Sequence, residues 1–558
     1  MLLLTTAIYF SLHLAAAQYL SPSFANFTGG NGKEIDLGYT KIRGTRVASS
    51  SFPINAWLGI RYGKAPTGNG RFRAAAQLDE QSDSPASVFD ATTFGPICYQ
   101  GWTPSAPDSS LAKELYYHTG NREESEDCLL LDIYAPAEPT SKSIPVLLII
   151  HGGGYDQGGS TSINPVGIMA AAPGQFMVVS IQYRLGAFGF LAGAEVAESG
   201  TLNAGLLDQR LAMQWVQRHI SSFGGDPAQV TIDGGSAGGG SVYHQLLWNG
   251  GEADPPYRAA IVEYPWMPNM LNTSQLELQY RQVLTASKCI NISCLRDLSA
   301  EEFNTAQQKV LASATYAFGT FYFGPTIDGI NVQGLPSKET EAEHFATVPL
   351  MTTRDGNEGF AFTPQNITTE KEYNARVRTF LNGGVNFFGQ LNRLYPSVEG
   401  GTFGYNNTQT KAEYLFGDWV IQCPTYNLAR SFTDNFSKLD AVHQPVYKLI
   451  AGYPTYDSAY HGSYSSLVFS TKPIPAEDTS PNAEIGRVLQ RYFTSFIITT
   501  DPNKHAKEKP NDRYVEWPQY GAASNILYIN SPAPVQIQDI DAAARCDFLL
   551  SHSSATAN

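Results

Sequence analysis

The sequence contains little charge, and positive charge is the scarcer sign. Asp, Glu, Lys and Arg make up 16% of the 558 residues, and 37 Lys and Arg oppose 51 Asp and Glu, so the formal net charge at pH 7 is −14. Because binding to a phosphate backbone needs basic patches, we expect no nucleic-acid partner. Hydrophobic residues at 42% and aromatic residues at 12% are enough for a sizeable core, which excludes a wholly disordered chain.

The sequence also lacks an apolar run of the roughly 20 residues that a bilayer-spanning helix needs. Its N-terminal apolar stretch ends in Ala15-Ala16-Ala17 before Gln18, and small residues there are typical of signal-peptidase cleavage. A membrane anchor or a buried strand is the alternative. We predict a signal peptide over residues 1–17, secretion to the extracellular space and no stable membrane anchor.

Cysteine is sparse, and no Cys forms a Cys-x-x-Cys pair or accompanies a His cluster. A zinc site is therefore not expected. An even number of cysteines suits structural disulfides in an oxidising compartment, and buried free thiols are the alternative. The six residues are Cys98, Cys128, Cys289, Cys294, Cys423 and Cys546.

Acceptor sequences for N-glycosylation are spread along the chain, which agrees with secretion. Each of them should lie on the surface if it carries a glycan. They begin at Asn26, Asn272, Asn291, Asn366, Asn406 and Asn435.

Short apolar runs alternate with helical patterns along most of the chain. Leu207, Leu211 and Trp215, for example, recur at the spacing of one helical face. Strands that alternate with helices predict an α/β fold with a mostly parallel sheet. Because no linker-like segment interrupts the pattern, we expect one domain over residues 18–558, with a mostly helical insertion near 270–345. The predicted buried strands are 146–150, 177–181, 230–232, 259–262 and 446–450.

The segment Gly234-Gly235-Ser236-Ala237-Gly238 directly follows the predicted strand at 230–232. A Gly-x-Ser-x-Gly sequence between a strand and a helix is typical of a nucleophile elbow, a tight turn that exposes the serine oxygen above a sheet. An ordinary glycine-rich turn is the alternative. Ser236 is therefore the candidate nucleophile.

A second glycine-rich segment, His151-Gly152-Gly153-Gly154, follows the predicted strand at 146–150. Consecutive glycines let backbone N–H groups turn toward a developing oxyanion. A phosphate-binding loop is set aside because no Gly-Lys-Ser/Thr follows. The candidate oxyanion-hole donors are the N–H groups of Gly153, Gly154 and Ala237.

A serine nucleophile needs a base and a carboxylate that orients the base, and hydrolases carry them in the order Ser, acid, His. His461 is the candidate base, because it lies in a turn among small residues after the strand at 446–450. Asp355 and Glu358 both follow the apolar run 348–351. The residues themselves leave the choice between these two acids open.

Further motifs occur in a fixed order between Gly44 and Cys546. They are Glu126-Asp127-Cys128-Leu129, the His151 segment, Tyr183-Arg184-Leu185-Gly186, Phe223-Gly224-Gly225-Asp226-Pro227, the Ser236 turn, Ile327-Asp328-Gly329, Asn357-Glu358-Gly359 and Trp517-Pro518-Gln519-Tyr520. Together they resemble the type-B carboxylesterase/lipase family, the cholinesterase-like α/β-hydrolases, and especially its secreted fungal members.

The resemblance implies an α/β-hydrolase fold, with a large, mostly parallel central sheet flanked by helices and carrying helical insertions. It implies Glu358 as the acid and His461 as the base. The implied activity is hydrolysis of a small-molecule carboxylic ester through an acyl-enzyme, with no metal and no cofactor. An interfacial triacylglycerol lipase and a catalytically silent binding protein are the alternatives. The implied disulfides are Cys98–Cys128, Cys289–Cys294 and Cys423–Cys546.

Two positions depart from the family pattern. Most members have Glu before the catalytic Ser, where this chain has Gly235, and cholinesterases have a Trp where this chain has His118. Both changes remove groups that hold a quaternary ammonium, so a choline-ester specialist is not expected. The loop inside the first disulfide mixes apolar residues with many charges, which predicts a hydrated loop rather than an apolar lid. We therefore expect an esterase that acts on dissolved short- or medium-chain esters.

Overall fold

The computed structural model describes residues 32–47, 52–79, 88–101, 122–313, 320–398, 404–438, 444–505, 514–530 and 533–558. The predicted signal peptide, the sequon at Asn26, His118 and most of the loop inside the first disulfide lie outside these residues.

A twisted sheet of eleven strands forms the centre of the described part of the chain. A separate three-stranded sheet combines β1 (Glu34–Asp36), β2 (Lys41–Arg43) and β5 (Val88–Asp90). The strands of the main sheet are β3 (Thr45–Val47), β4 (Ile54–Arg61), β6 (Leu130–Pro136), β7 (Ile144–Ile150), β8 (Met177–Ile181), β9 (Gly225–Gly235), β10 (Ala259–Glu263), β11 (Leu350–Asp355), β12 (Val446–Ala451), β13 (Asn525–Ile529) and β14 (Val535–Gln538).

The order across the main sheet is β14-β13-β12-β11-β10-β9-β7-β8-β6-β4-β3. The seven strands from β13 to β8 are mutually parallel, whereas β14, β6, β4 and β3 pair antiparallel with their neighbours. Strands β7, β8, β10, β11 and β12 are buried at every position. Strands that are buried at every position need cover on both faces, which the helices supply.

Helices connect most of these strands. They are α1 (Val166–Ala171), α2 (Gly186–Phe190), α3 (Ala194–Ser199), α4 (Ala204–His219), α5 (Ala237–Leu246), α6 (Thr273–Ser287), α7 (Ile292–Asp297), α8 (Ala300–Ser313), α9 (Pro336–Glu341), α10 (Glu370–Val377), α11 (Val385–Leu394), α12 (Thr408–Gly417), α13 (Cys423–Lys438), α14 (Ser465–Val468), α15 (Pro481–Thr499), α16 (Ala544–Ser551) and α17 (Ser553–Thr556). Helices α6 to α9 lie in the segment that was expected to be a mostly helical insertion.

The mostly parallel α/β sheet predicted from the sequence is confirmed, and each of the five predicted strands is present. The strand predicted at 230–232 is longer, because β9 extends from Gly225 to the elbow at Gly235. The antiparallel strands β3, β4, β6 and β14 were not predicted. In β6 the reason is Asp132, a buried acid that accepts a hydrogen bond from Gly59 N at 2.7 Å and interrupts the apolar pattern.

Parallel strands place their carboxyl ends at one edge of the sheet, and the predicted functional segments all follow such ends. The His151 segment follows β7, Ser236 follows β9, and Glu358 follows β11. His461 lies in the segment after β12. The sheet therefore gathers residues that are up to 310 positions apart in sequence.

Three disulfides close loops in the structure: Cys98–Cys128, Cys289–Cys294 and Cys423–Cys546. They span sequence separations of 30, 5 and 123 residues. The longest loop links the first residue of α13 to α16 near the C-terminus.

Removal of the long-range disulfide should destabilise the protein more than removal of the short one. In the chain-entropy model, a loop of 123 residues contributes about 5 kcal/mol and a loop of 5 residues about 2 kcal/mol. We expect Cys423→Ser/Cys546→Ser to lower the free energy of unfolding by more than Cys289→Ser/Cys294→Ser does, as measured by urea denaturation. Equal losses, or a free thiol at Cys423 in non-reducing peptide maps, would contradict this pairing.

Candidate active site

Ser236 stands on a sharp turn between β9 and α5. Its φ of 59° and ψ of −125° are rare for a residue with a side chain, and strain of this kind persists only where the surroundings hold it. Ser236 N donates to Glu263 O at 3.1 Å, and Ser236 O accepts from Trp266 N at 2.8 Å. The last residue of β10 and the segment after it therefore hold the turn through both backbone groups of Ser236.

Glycines around Ser236 allow the backbones to touch. A Cβ added at Gly234 would lie 2.5 Å from Gly238 O, and one added at Gly238 would lie 2.1 Å from Ile150 O. Both distances are far shorter than van der Waals contact. The glycines of the elbow are thus required by its packing against the end of β7.

His461 links Ser236 to Glu358 through both ring nitrogens. Its Nε2 lies 2.9 Å from Ser236 Oγ, and its Nδ1 lies 2.6 Å from Glu358 Oε2. Glu358 is fully buried, whereas the His461 side chain is 10% exposed. This chain of hydrogen bonds has the geometry of a nucleophile, a general base and an orienting acid.

The two acids that the sequence left as alternatives have different contacts. Glu358 reaches His461 and accepts from Asp355 N at 2.6 Å. The Asp355 carboxylate instead accepts from Gly462 N at 2.8 Å and Ser463 Oγ at 2.6 Å. Burial raises the pKa of the Asp355 carboxyl, and the nearby charge of Glu358 raises it further. Asp355 therefore anchors the turn that carries His461.

Arg354, a site residue that the sequence did not indicate, holds the backbone of the acid loop. Its Nη1 donates to Asp355 O at 2.6 Å, and its Nη2 contacts Asp541 Oδ1 at 2.5 Å. Asp541 also accepts from Lys448 Nζ at 2.7 Å. These ion pairs are almost fully buried, and breaking one would leave an uncompensated charge inside the protein. They connect the end of β11 and the middle of β12 to a segment near the C-terminus.

The His151 segment lies directly against the elbow. A Cβ added at Gly152 would lie 3.0 Å from Ser236 Cβ, so no larger residue fits there. Gly153 and Gly154 have φ values of 112° and 66°, which favour glycine. Ala237 is the first residue of α5, where backbone N–H groups have no partner within the helix. Gly152, which precedes the predicted donors Gly153 and Gly154, thus contacts Ser236, and the third predicted donor, Ala237, follows Ser236 directly in the chain.

His151 itself has a structural role. Its ring stacks on Tyr183, and the Tyr183 hydroxyl donates to His151 O at 2.9 Å. Burial lowers the pKa of His151 to about 4, so its ring is neutral at physiological pH.

Aromatic side chains form a wall beside the site. Phe362 meets the His461 ring edge-on at 4.9 Å and lies 4.6 Å from the Trp266 ring. Phe321 meets Trp266 at 5.5 Å and lies where a Cβ on Gly154 would project. A cavity of about 230 Å³, lined in part by Trp266 and Phe321, extends from this wall.

The described residues contain no group of three or more His, Cys, Asp or Glu side chains that could hold a metal ion. Among the same residues, no helix is both long and apolar enough to cross a membrane.

The sequence matches the model of a protein family described as the carboxylesterase family over residues 31–549. The chain belongs to the carboxylesterase family. This confirms the resemblance inferred from the motifs, and the chain is accordingly a carboxylic ester hydrolase.

Curated relatives of this carboxylesterase include fungal enzymes. Carboxylesterase patB of Aspergillus clavatus is 30% identical over 511 residues, which cover 84% of this chain and 88% of the relative. Lipase 4 of Diutina rugosa is 29% identical over 535 residues, which cover 88% of this chain and 92% of the relative.

Solved structures confirm the α/β-hydrolase fold. The crystal structure of Aspergillus niger EstA matches with a TM-score of 0.79 at 25% sequence identity, over 95% of this chain and 99% of that chain.

The predicted glycosylation positions of the carboxylesterase differ in their surroundings. Asn272, Asn366 and Asn406 are exposed, and Asn272 caps α6 by accepting from Gln275 N at 3.0 Å. Asn291 is half-buried and caps α7 by accepting from Cys294 N at 2.9 Å. Asn435 lies within α13, and its side chain is outside the described part of the structure.

A pair of buried carboxyls below the elbow is a further feature that the sequence did not indicate. Asp233 lies on β9 and Glu263 on β10, and both are almost fully buried. Burial raises the pKa of both groups, and the negative charge of Glu263 raises the pKa of Asp233 further. Tyr464 Oη donates to Glu263 Oε2 at 2.6 Å, which ties the pair to the turn after His461.

This pair should make the carboxylesterase less stable as the pH rises. Both folded-state pKa values lie above their unfolded values of about 4, so the stabilising effect is complete below pH ~4 and is lost as the pH rises through the folded values. We expect Glu263→Gln to reduce the decline in free energy of unfolding between pH 5 and pH 8, as measured by urea denaturation. The exposed Glu198→Gln serves as the control. A decline in Glu263→Gln as steep as in the control would contradict the assignment.

Proposed function

We propose that this chain is a secreted serine carboxylesterase in which Ser236, His461 and Glu358 form the catalytic triad. The observation that carries the proposal is the continuous hydrogen-bonded path from Ser236 Oγ through His461 to Glu358 Oε2. A silent binding protein has no need of a strained serine hydrogen-bonded to a buried His–Glu pair.

In the first half of the reaction, Ser236 Oγ attacks the ester carbonyl carbon while His461 Nε2 takes the hydroxyl proton. Glu358 holds the imidazole in the required tautomer and stabilises the imidazolium. The N–H groups of Gly153, Gly154 and Ala237 donate to the carbonyl oxygen as it becomes negative. The tetrahedral intermediate collapses, the ester C–O bond breaks, and the leaving alkoxide takes the proton from His461.

In the second half, water hydrolyses the acyl-enzyme. His461 Nε2 takes a proton from the water as its oxygen attacks the acyl carbon, and the same N–H groups stabilise the second oxyanion. Collapse of this intermediate breaks the bond to Ser236 Oγ, which regains its proton from His461. The carboxylic acid leaves, and the chemistry uses neither a metal nor a cofactor.

Secretion is part of the same proposal. Residues 1–17 would be removed as a signal peptide, and residues 18–558 would fold as one domain. The exposed sequons and the three disulfides support an extracellular location, and one curated relative is named a secreted triacylglycerol lipase, from Gibberella zeae.

Replacement of the nucleophile gives a direct test. Ser236→Ala should fold normally and lose activity by about 10⁴-fold or more, because no acyl-enzyme can form. Hydrolysis of a chromogenic acetate ester and labelling by a fluorophosphonate probe are the two readouts. Ser222→Ala, at an exposed serine, is the matched control and should retain both. Turnover or labelling in Ser236→Ala would refute the triad.

For the substrate, we propose dissolved esters with short or medium acyl chains. The rings of Phe362, which packs against His461, and of Phe321, which lies beside Gly154, support this choice, because bulky rings at these two places leave less room for a long acyl chain. The second candidate is an interfacial lipase, which is favoured by the curated lipase relatives.

Kinetics on tributyrin distinguish these two candidates. With an esterase, the rate should saturate below the solubility limit of the substrate. A sharp rise in rate only when droplets form would instead establish the interfacial lipase. A water-soluble acetate ester serves as the reference substrate that forms no droplets.

A further inference from the structure

Gly235 is the residue before the candidate nucleophile. A neighbouring ring leaves no room for a side chain there, although the backbone conformation would allow one. The φ of Gly235 lies outside the left-handed region that favours glycine, so alanine could adopt the same conformation. A Cβ added there, however, would lie 2.2 Å from Tyr264 Oη and 2.5 Å from Tyr264 Cζ. The phenol ring of Tyr264 thus occupies the space into which a side chain at Gly235 would project.

The backbone of Tyr264 is firmly held in this position. Tyr264 follows β10 with a φ of 31°, an uncommon value for a residue with a side chain. Its N–H donates to Thr353 O at 2.7 Å. Two residues close to it in the chain, Glu263 and Trp266, form hydrogen bonds with the backbone of Ser236. Tyr264 is therefore fixed relative to the nucleophile turn.

The ring of Tyr264 also contacts the candidate base. It meets the His461 imidazole edge-on, with ring centroids 5.0 Å apart and an interplanar angle of 81°. Phe362 makes a second edge-on contact with the same imidazole, at 4.9 Å and 76°. Edge-to-face packing is a favoured aromatic geometry, and two such contacts restrict the rotation of the ring. A Cβ added at Gly462, next to His461, would lie 3.7 Å from the Tyr264 ring.

We propose that Tyr264 is a positioning residue, whose ring, admitted by Gly235, holds the His461 imidazole in line with Ser236 Oγ. The proposal rests on the triad proposed above. A misaligned imidazole slows proton transfer in the transition state but leaves ground-state binding of the ester nearly unchanged. The effect of removing the ring should therefore fall on kcat and not on KM.

Three single variants test the role of the ring. Tyr264→Ala should lower kcat by about 10- to 100-fold with KM changed by less than about 3-fold. Tyr264→Phe keeps the ring and should stay within about 3-fold of wild-type kcat. Tyr257→Ala is the matched control, because this buried tyrosine lies before the opposite end of β10 and its hydroxyl donates to Gln245 O. It should affect thermal stability but leave kcat within about 3-fold.

Two outcomes of these measurements would overturn the proposal. One is a Tyr264→Ala variant with a kcat within about 3-fold of wild type. The other is a Tyr264→Phe variant as impaired as Tyr264→Ala, which would assign the effect to the hydroxyl. The Ser236→Ala variant distinguishes failure of the triad from failure of the positioning role. Turnover in Ser236→Ala refutes the triad. An inactive Ser236→Ala together with a fully active Tyr264→Ala refutes the positioning role alone.

A double-mutant cycle tests the pairing of Gly235 with Tyr264. Gly235→Ala should displace the ring and lower kcat about as much as Tyr264→Ala does. In the Tyr264→Ala background, Gly235→Ala should change kcat by less than about 3-fold, because the clash no longer exists. Multiplicative losses in the double variant would show that the two positions act independently and would overturn the pairing.

Discussion

Direct contact between backbones around Ser236 is the constraint on which the rest of the site depends. Gly234 approaches Gly238, Gly238 approaches the end of β7, and Gly152 approaches Ser236, all at distances that leave no room for a Cβ. Because β7 and β9 are parallel neighbours, their carboxyl ends meet. The nucleophile turn and the loop of candidate oxyanion donors are therefore consequences of one packing arrangement.

The two acids at the carboxyl end of β11 show how a shift of three positions separates the roles of similar side chains. Glu358 lies where it reaches the imidazole of His461, whereas Asp355 accepts hydrogen bonds from the backbone that carries this histidine. Arg354 holds the loop between them and is itself held by Asp541. Buried charges of this kind add little net stability, but they fix geometry, because each would be costly without its partner.

The features that depend on residues close together in the chain were predictable from the sequence. The buried strands β7, β8, β10 and β12 are nearly continuous apolar runs, and the two glycine-rich segments after β7 and β9 follow known turn chemistry. Strand β6 was not predictable, because its buried Asp132 makes the run look solvent-exposed until its partner across the sheet is known. Tyr264 was missed for a similar reason, since its contacts with Gly235 on β9 and with His461 after β12 come from distant parts of the sequence.

The sequence by itself determined the family, the α/β class and the candidate nucleophile, because each depends on residues that are adjacent or regularly spaced in the chain. The family resemblance implied Glu358 as the acid, and the tertiary structure shows its contact with His461. Only the tertiary structure decided that Asp355 holds the turn carrying this histidine, that Asp233 and Glu263 share one buried site, and that Tyr264 fills the space beside Gly235. The physical reason is that the role of a side chain is set by its neighbours in space. At this site those neighbours come from the ends of parallel strands that are tens to hundreds of residues apart.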